Sequence, residues 1–227
     1  MIMKRYIYLF LGLFVNLGTY ANNDPFGAWY MYFGNIHFQN TSWRASYDFQ
    51  YRNHNMMGDL NQLLLRGGIQ YTRIDNLTLG AGYAFVLSEK KDLPNEPFRE
   101  NRLYQDILTN QTIGKNNVLK HRFRFEQRFI ESQDIKTRLR YQLAVEIPIF
   151  TQVEKQRMIY AVASNELFMN TDRYTRKNNA FDRNRLFFGA SFKWNKNTGI
   201  QLGWMNQLLQ QNSAQQLMVS FHQNIQL

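Results

Sequence analysis

Cysteine is absent from all 227 residues, which excludes a disulfide framework, a thiol nucleophile and any cysteine-bearing metal site. Proline occurs only four times, so little interrupts an extended backbone. Histidine is equally sparse. His37, His54, His121 and His222 fall in no cluster with Asp or Glu at metal-site spacing, and no cofactor is expected. Past the first residues no apolar run approaches the roughly twenty needed for a membrane-spanning helix. The mean hydropathy is negative. A transmembrane β-barrel would also give that value, because half of each strand faces a polar lumen.

Residues 1–21 read as a secretory signal peptide. Lys4 and Arg5 supply the positive start, Tyr6 to Val15 the apolar segment, and Thr19-Tyr20-Ala21 a small-residue cleavage site. The expected mature domain is 22–227. Losing Lys4 and Arg5 takes the formal charge from +10 to +8. Export makes nucleic acid an unexpected partner for that positive charge, and leaves an anionic surface or an acidic ligand.

What the chain does have is alternation. From Ile135 to Ile149 one parity reads Ile135, Thr137, Leu139, Tyr141, Leu143, Val145, Ile147, Ile149, and the other Lys136, Arg138, Arg140, Gln142, Ala144, Glu146, Pro148. A period of two makes one apolar and one charged face, which is a β-strand and not a helix. The same pattern recurs over 41–52, 76–88, 119–129, 184–194 and 217–227, and more weakly over 26–36, 60–73, 99–110, 157–168 and 199–209. Short turn-forming connections include Asp75-Asn76, Gly114 to Asn117, Ser132 to Asp134 and Asn195 to Thr198, whereas 89–98 and 169–182 read as long polar loops.

The fold expected is all-β, an antiparallel up-and-down transmembrane β-barrel. Eleven strands are recognisable. Single-chain bacterial barrels have even strand numbers, so twelve is favoured, with one strand unseen near the N-terminus, and ten is the alternative. Alternation does not say which face points inward, and a secreted soluble β-domain would bury the apolar face and expose the arginines. Three features favour the membrane: the export signal, a final strand running to Leu227, and an aromatic content of 15 %. Trp29, Trp43, Trp194 and Trp204 lie near expected strand ends, where interfacial girdles sit.

The polar face then becomes a lumen lining. A hairpin at Ser132 to Asp134 sets Glu126 across from Arg138 or Arg140, and Arg124 across from Arg140 or Gln142. Arg122, Arg124, Arg128, Arg138 and Arg140 form a basic patch with Glu126 and Glu146 interleaved. Arg44, Arg52, Arg66, Arg102, Arg183 and Arg185 share the polar side with Asp48, Glu100 and Glu166. Two readings stand open. Paired arginines and carboxylates fill a narrow lumen as a structural network, or the excess arginines draw a small anion or acidic saccharide through it.

The run His121-Arg122-Phe123-Arg124-Phe125-Glu126-Gln127-Arg128-Phe129 is followed by Arg138-Leu139-Arg140-Tyr141 and Ile147-Pro148. Then come Asn165-Glu166-Leu167-Phe168, Asp182-Arg183-Asn184-Arg185-Leu186-Phe187-Phe188-Gly189 and Gly203-Trp204-Met205-Asn206-Gln207. With Trp29 near the mature start, this order resembles a family of small Gram-negative outer-membrane β-barrels catalogued only as a domain of unknown function. The resemblance spans essentially the whole mature chain. It implies an outer-membrane location, with membrane lipid as partner, and supplies no catalytic residues. By size the chain is also similar in architecture to porin-like barrels for acidic oligosaccharides.

Some outer-membrane barrels act on lipid, so an enzyme is the competing class. His222 and Ser220 share the polar parity of the last strand, but neighbours on one strand do not make a triad. His121 falls on the apolar parity and His54 in a turn. No enzyme is expected.

Overall fold

The computed structural model describes residues 26–74, 76–91, 93–114, 116–154, 156–172 and 180–227. The segment read as a signal peptide lies outside the described residues. Eleven strands are present among them: β1 (Gly27–His37), β2 (Trp43–Asn53), β3 (Leu60–Ile74), β4 (Leu77–Lys90), β5 (Leu93–Ile113), β6 (Asn117–Ile130), β7 (Lys136–Gln152), β8 (Arg157–Asn170), β9 (Phe181–Lys193), β10 (Thr198–Leu208) and β11 (Ser213–Gln226). Consecutive strands pair antiparallel from β1 to β11, and the sheet closes on itself.

Closure corrects the expected strand number. β1 pairs directly with β11, and the pairing is parallel, from Gly27↔Gln216 to His37↔Gln226. The geometry requires this: in a meander with an odd number of strands, first and last run the same way. The seam continues past the strands, where the Leu227 amide donates to the His37 carbonyl at 3.0 Å. No twelfth strand stands between β1 and β11.

Strand alternation follows the sequence. Leu65, Ile69, Leu79, Ile107, Leu139 and Leu202 lie on the outer face and are exposed, while Arg124, Glu126 and Arg138 are buried inside. The register shifts between Pro148 and Phe150, where a residue with no N–H interrupts the ladder. Beyond it Ile149 and Phe150 are both exposed. Segment 89–98, expected to be a long loop, instead continues the β4–β5 hairpin, with Ser88 opposite Phe98 and Lys90 opposite Leu93. In the other expected long loop, β8 runs to Asn170 and β9 starts at Phe181, and 173–179 lie outside the described residues. Ser132 takes a left-handed φ of 60°, and the Gln133 amide closes the β6–β7 turn on the Ile130 carbonyl at 3.1 Å.

Glycine opens space for one aromatic plug. Gly68 on β3 pairs with Gly82 on β4, and Gly82 pairs with Tyr104 on β5. The Tyr104 ring lies back over both, and its hydroxyl donates to the Gly67 carbonyl at 3.2 Å. A Cβ on Gly82 would stand 2.3 Å from the Tyr104 hydroxyl, and one on Gly68 would stand 2.5 Å from it. The Arg124 guanidinium covers the ring at 4.0 Å.

Candidate functional site

The interior has two unlike walls. From β2 to β3 and again from β5 to β9 it carries arginines and carboxylates, with the uncharged Thr78, Ala84, Val86 and Ser88 of β4 between them. Glu126 sits opposite Arg138, and Arg124 opposite Arg140. Glu126 accepts from Arg138 Nη2 and from Arg140 Nη1, each at 2.6 Å. Arg140 also reaches Glu166 at 2.6 Å, where Arg122 donates at 2.7 Å. Asp106 takes a two-pronged contact from Arg124 at 2.6 Å on each oxygen. Glu100 receives Arg102 at 2.7 and 2.8 Å and is shared with Arg128. Asp48 holds Arg66 at 2.6 Å, and Asp182 joins Arg138 to Arg183. Fork-to-fork pairs of this kind satisfy several donors at once, which a charge taken out of water requires.

Phe168, on β8, faces inward within this ladder. The guanidinium carbons of Arg140, Arg185 and Arg138 lie 4.5, 4.7 and 5.1 Å from its ring centre. A ring face buried among cations holds them by its negative quadrupole.

The other wall is apolar. Trp29, Met31, Val162, Phe187 and Met205 form a buried cluster, with Phe33, Tyr160 and Met218 packed against it. Trp29 was expected in an interfacial girdle and is instead buried inside the barrel at 4 % exposure. Trp43 is exposed at the start of β2. Trp204 lies mid-strand on the outer face, parallel to the Phe188 ring.

Between the walls is a cavity of about 280 Å³, lined on one side by Arg52, Arg66, Arg102, Arg128, Arg138 and Arg140 and on the other by Trp29, Met31, Phe187, Met205 and Met218. A second, of about 180 Å³, holds Lys120, Glu146, Lys193 and Lys196. The two share Gln201 and His222. Ser220 Oγ and His222 Nε2 are 2.9 Å apart, and the His222 ring stacks on Phe33. No described carboxylate is hydrogen-bonded to that imidazole, so the orienting group of a triad is missing among the described residues.

Every arginine and glutamate singled out in the sequence occupies an inward position. Arg122, Arg128, Arg138, Arg140, Arg183, Arg185 and Glu166 line the larger cavity. Arg124 and Glu126 are buried beside it. Glu146 lies in the smaller cavity, paired with Lys120 at 2.6 Å. Arg44, on the same parity of β2, hydrogen-bonds Gln70. Tyr104, Asp106, the inward cation-holding role of Phe168 and the apolar wall do not stand out in the sequence as site features. Asp106 could have been found: Glu100, Arg102, Tyr104 and Asp106 step by two along one face.

The family model described as "Protein of unknown function (DUF2490)" matches residues 26–218. An uncharacterised protein of Methylorubrum extorquens is 32 % identical over 159 residues, covering 67 % of this chain and 66 % of the relative, so the chain spans just under two thirds of that protein's length. No solved structure gives a significant match.

Proposed function

Starting from a chain that belongs to a family of proteins of unknown function, we propose that it is an outer-membrane β-barrel whose arginine- and glutamate-lined lumen is a narrow passage for small anions or acidic saccharides. One observation carries the reading: the barrel is inside-out. Large apolar side chains stand exposed along the outer face of successive strands, while Glu126, Arg138 and Arg124 are 1–4 % exposed within. In water such an apolar exterior greatly exceeds the patches that soluble monomers tolerate. Facing lipid, it is the ordinary exterior of a barrel. Outer-membrane lipid is then the first partner, and the excess of arginine over carboxylate sets the sign of any permeant solute.

The density of paired charges favours a second reading, a lumen filled by structure alone. Planar-bilayer recording separates the two. Anion-selective conductance that falls when Lys193 and Arg44, which lie outside the carboxylate network, are changed to Gln supports the passage. Silence at every voltage selects the structural barrel. Failure to partition into detergent, with no heat-modifiable gel mobility, removes the membrane reading altogether.

A further inference from the structure

Arg52 and Arg185 differ from the rest of the ladder. Among the described residues no carboxylate comes within 4.0 Å of Arg52, whose neighbours are Gln50 and Gln62, the latter at 2.7 Å. Arg185 donates to Gln207 at 2.8 Å, and the nearest carboxylate oxygen, Glu166 Oε2, stands 4.0 Å away, while Arg140 and Arg122 share Oε1 of the same carboxylate. Both guanidinium groups lie over one indole, Trp29, at 4.0 and 4.9 Å from the ring centre. Two cations on one ring repel each other, and burial removes the water that would screen them: Arg52 is only 7 % exposed. Each still has N–H groups to spare, since a guanidinium carries five.

The space they border is the larger cavity, and it continues from them along Trp29, Met31, Met205 and Met218. A hydrated inorganic ion would leave that wall unused. Unbranched methionine side chains fit varied apolar shapes. We propose that the lumen holds an amphiphilic organic anion, its head group on Arg52 and Arg185 and its apolar body against Trp29, Met31, Met205 and Met218. The proposal rests on the reading of the lumen as open to anionic solutes and names their class: one acidic head on a hydrocarbon or aromatic body. The head would supply the counter-charge that the pair lacks, in the planar two-pronged geometry that guanidinium groups favour.

The test is calorimetric titration of the barrel folded in lipid nanodiscs with octanoate, acetate and 1-octanol, with empty nanodiscs of the same lipid subtracted. Octanoate should bind at least tenfold tighter than either acetate, which is head alone, or octanol, which is body alone. Arg52→Gln and Arg185→Gln should each weaken octanoate binding at least tenfold, and Met218→Gln should weaken octanoate while leaving acetate unchanged. If an arginine variant loses its heat-modifiable mobility, the ligand comparison on the parent barrel and Met218→Gln decides. Equal affinity for octanoate and acetate, no octanoate binding, or indifference to both arginine variants overturns the proposal. Equilibrium binding is independent of current, so binding without conductance removes the passage but keeps the site, and conductance without octanoate binding does the reverse.

Discussion

Glu126 and Arg138 face each other across β6 and β7, with Oε2 and Nη2 2.6 Å apart and both side chains almost wholly buried. The second oxygen of Glu126 meets Arg140, so one carboxylate is shared by two largely buried guanidinium groups. Replacing it with the isosteric amide leaves Arg138 with Asp182 and Arg140 with Glu166, carboxylates already shared with Arg183 and Arg122. Breaking a buried pair from one side costs about 3–5 kcal/mol. Glu126→Gln is therefore expected to lower the urea unfolding midpoint of the vesicle-folded barrel by an amount in that range. Glu154→Gln, in the exposed β7–β8 turn, should change stability by no more than about 0.5 kcal/mol. Equal effects would mean that the network adds nothing.

Adjacent glycines on β3 should respond in opposite directions. Gly67 faces outward with nothing within 4 Å of an added Cβ, whereas one on Gly68 would strike the Tyr104 hydroxyl at 2.5 Å and the Ala81 carbonyl at 2.8 Å. Gly67→Ala should stabilise the barrel by up to about 0.5–1 kcal/mol, since it removes the entropy cost of glycine in a strand. Gly68→Ala should cost about 1–3 kcal/mol through overpacking. Urea unfolding of the two variants side by side measures both. Matching shifts would mean that Tyr104 does not pack over Gly68.

These elements show what the sequence could reveal. Strand existence was legible because residues such as Leu139 and Arg140 alternate through β7 as far as Pro148, and the facing of Glu126 and Arg138 followed from a turn at Ser132. The closure was not. Strand number is a property of the whole ring, and no single segment shows that β1 will meet β11 in parallel. The apolar wall was hidden for a different reason. In β1 both parities are apolar, Tyr30 and Tyr32 outward and Trp29, Met31 and Phe33 inward, so a rule that sends apolar residues to lipid cannot separate them. The β4–β5 hairpin was misread because turn-forming composition outweighed pairing: the ladder there is held by backbone bonds that do not depend on apolar side chains.

The parallel seam can be trapped covalently. Tyr30 on β1 and Val219 on β11 are register partners on the outer face. The parent chain has no cysteine, so Tyr30→Cys with Val219→Cys introduces the only possible intramolecular bridge. Neighbouring strands about 4.8 Å apart bring the pair within disulfide reach. Oxidation of the folded double variant should give a gel shift reversed by reductant. Failure to form the bridge, while the barrel retains its heat-modifiable mobility, would exclude the β1–β11 pairing.

Depth dependence tests the membrane reading most directly. Leu202 stands at the middle of β10 on the outer face, and Ile113 at the end of β5 on the same face. In a bilayer an arginine at mid-depth costs about 2–4 kcal/mol, while one near the interface costs about 0–1 kcal/mol, because a long side chain there can reach water. Leu202→Arg should therefore lose that much stability in vesicles, and Ile113→Arg should stay close to the parent. For a soluble barrel both positions face water, and both changes would fall within about 0.5 kcal/mol. Equal and small effects would move the arginine ladder out of the membrane context. A gradient from Leu202 to Ile113 would fix where the hydrocarbon slab sits along the strands, and with it which of the paired charges lie at its centre.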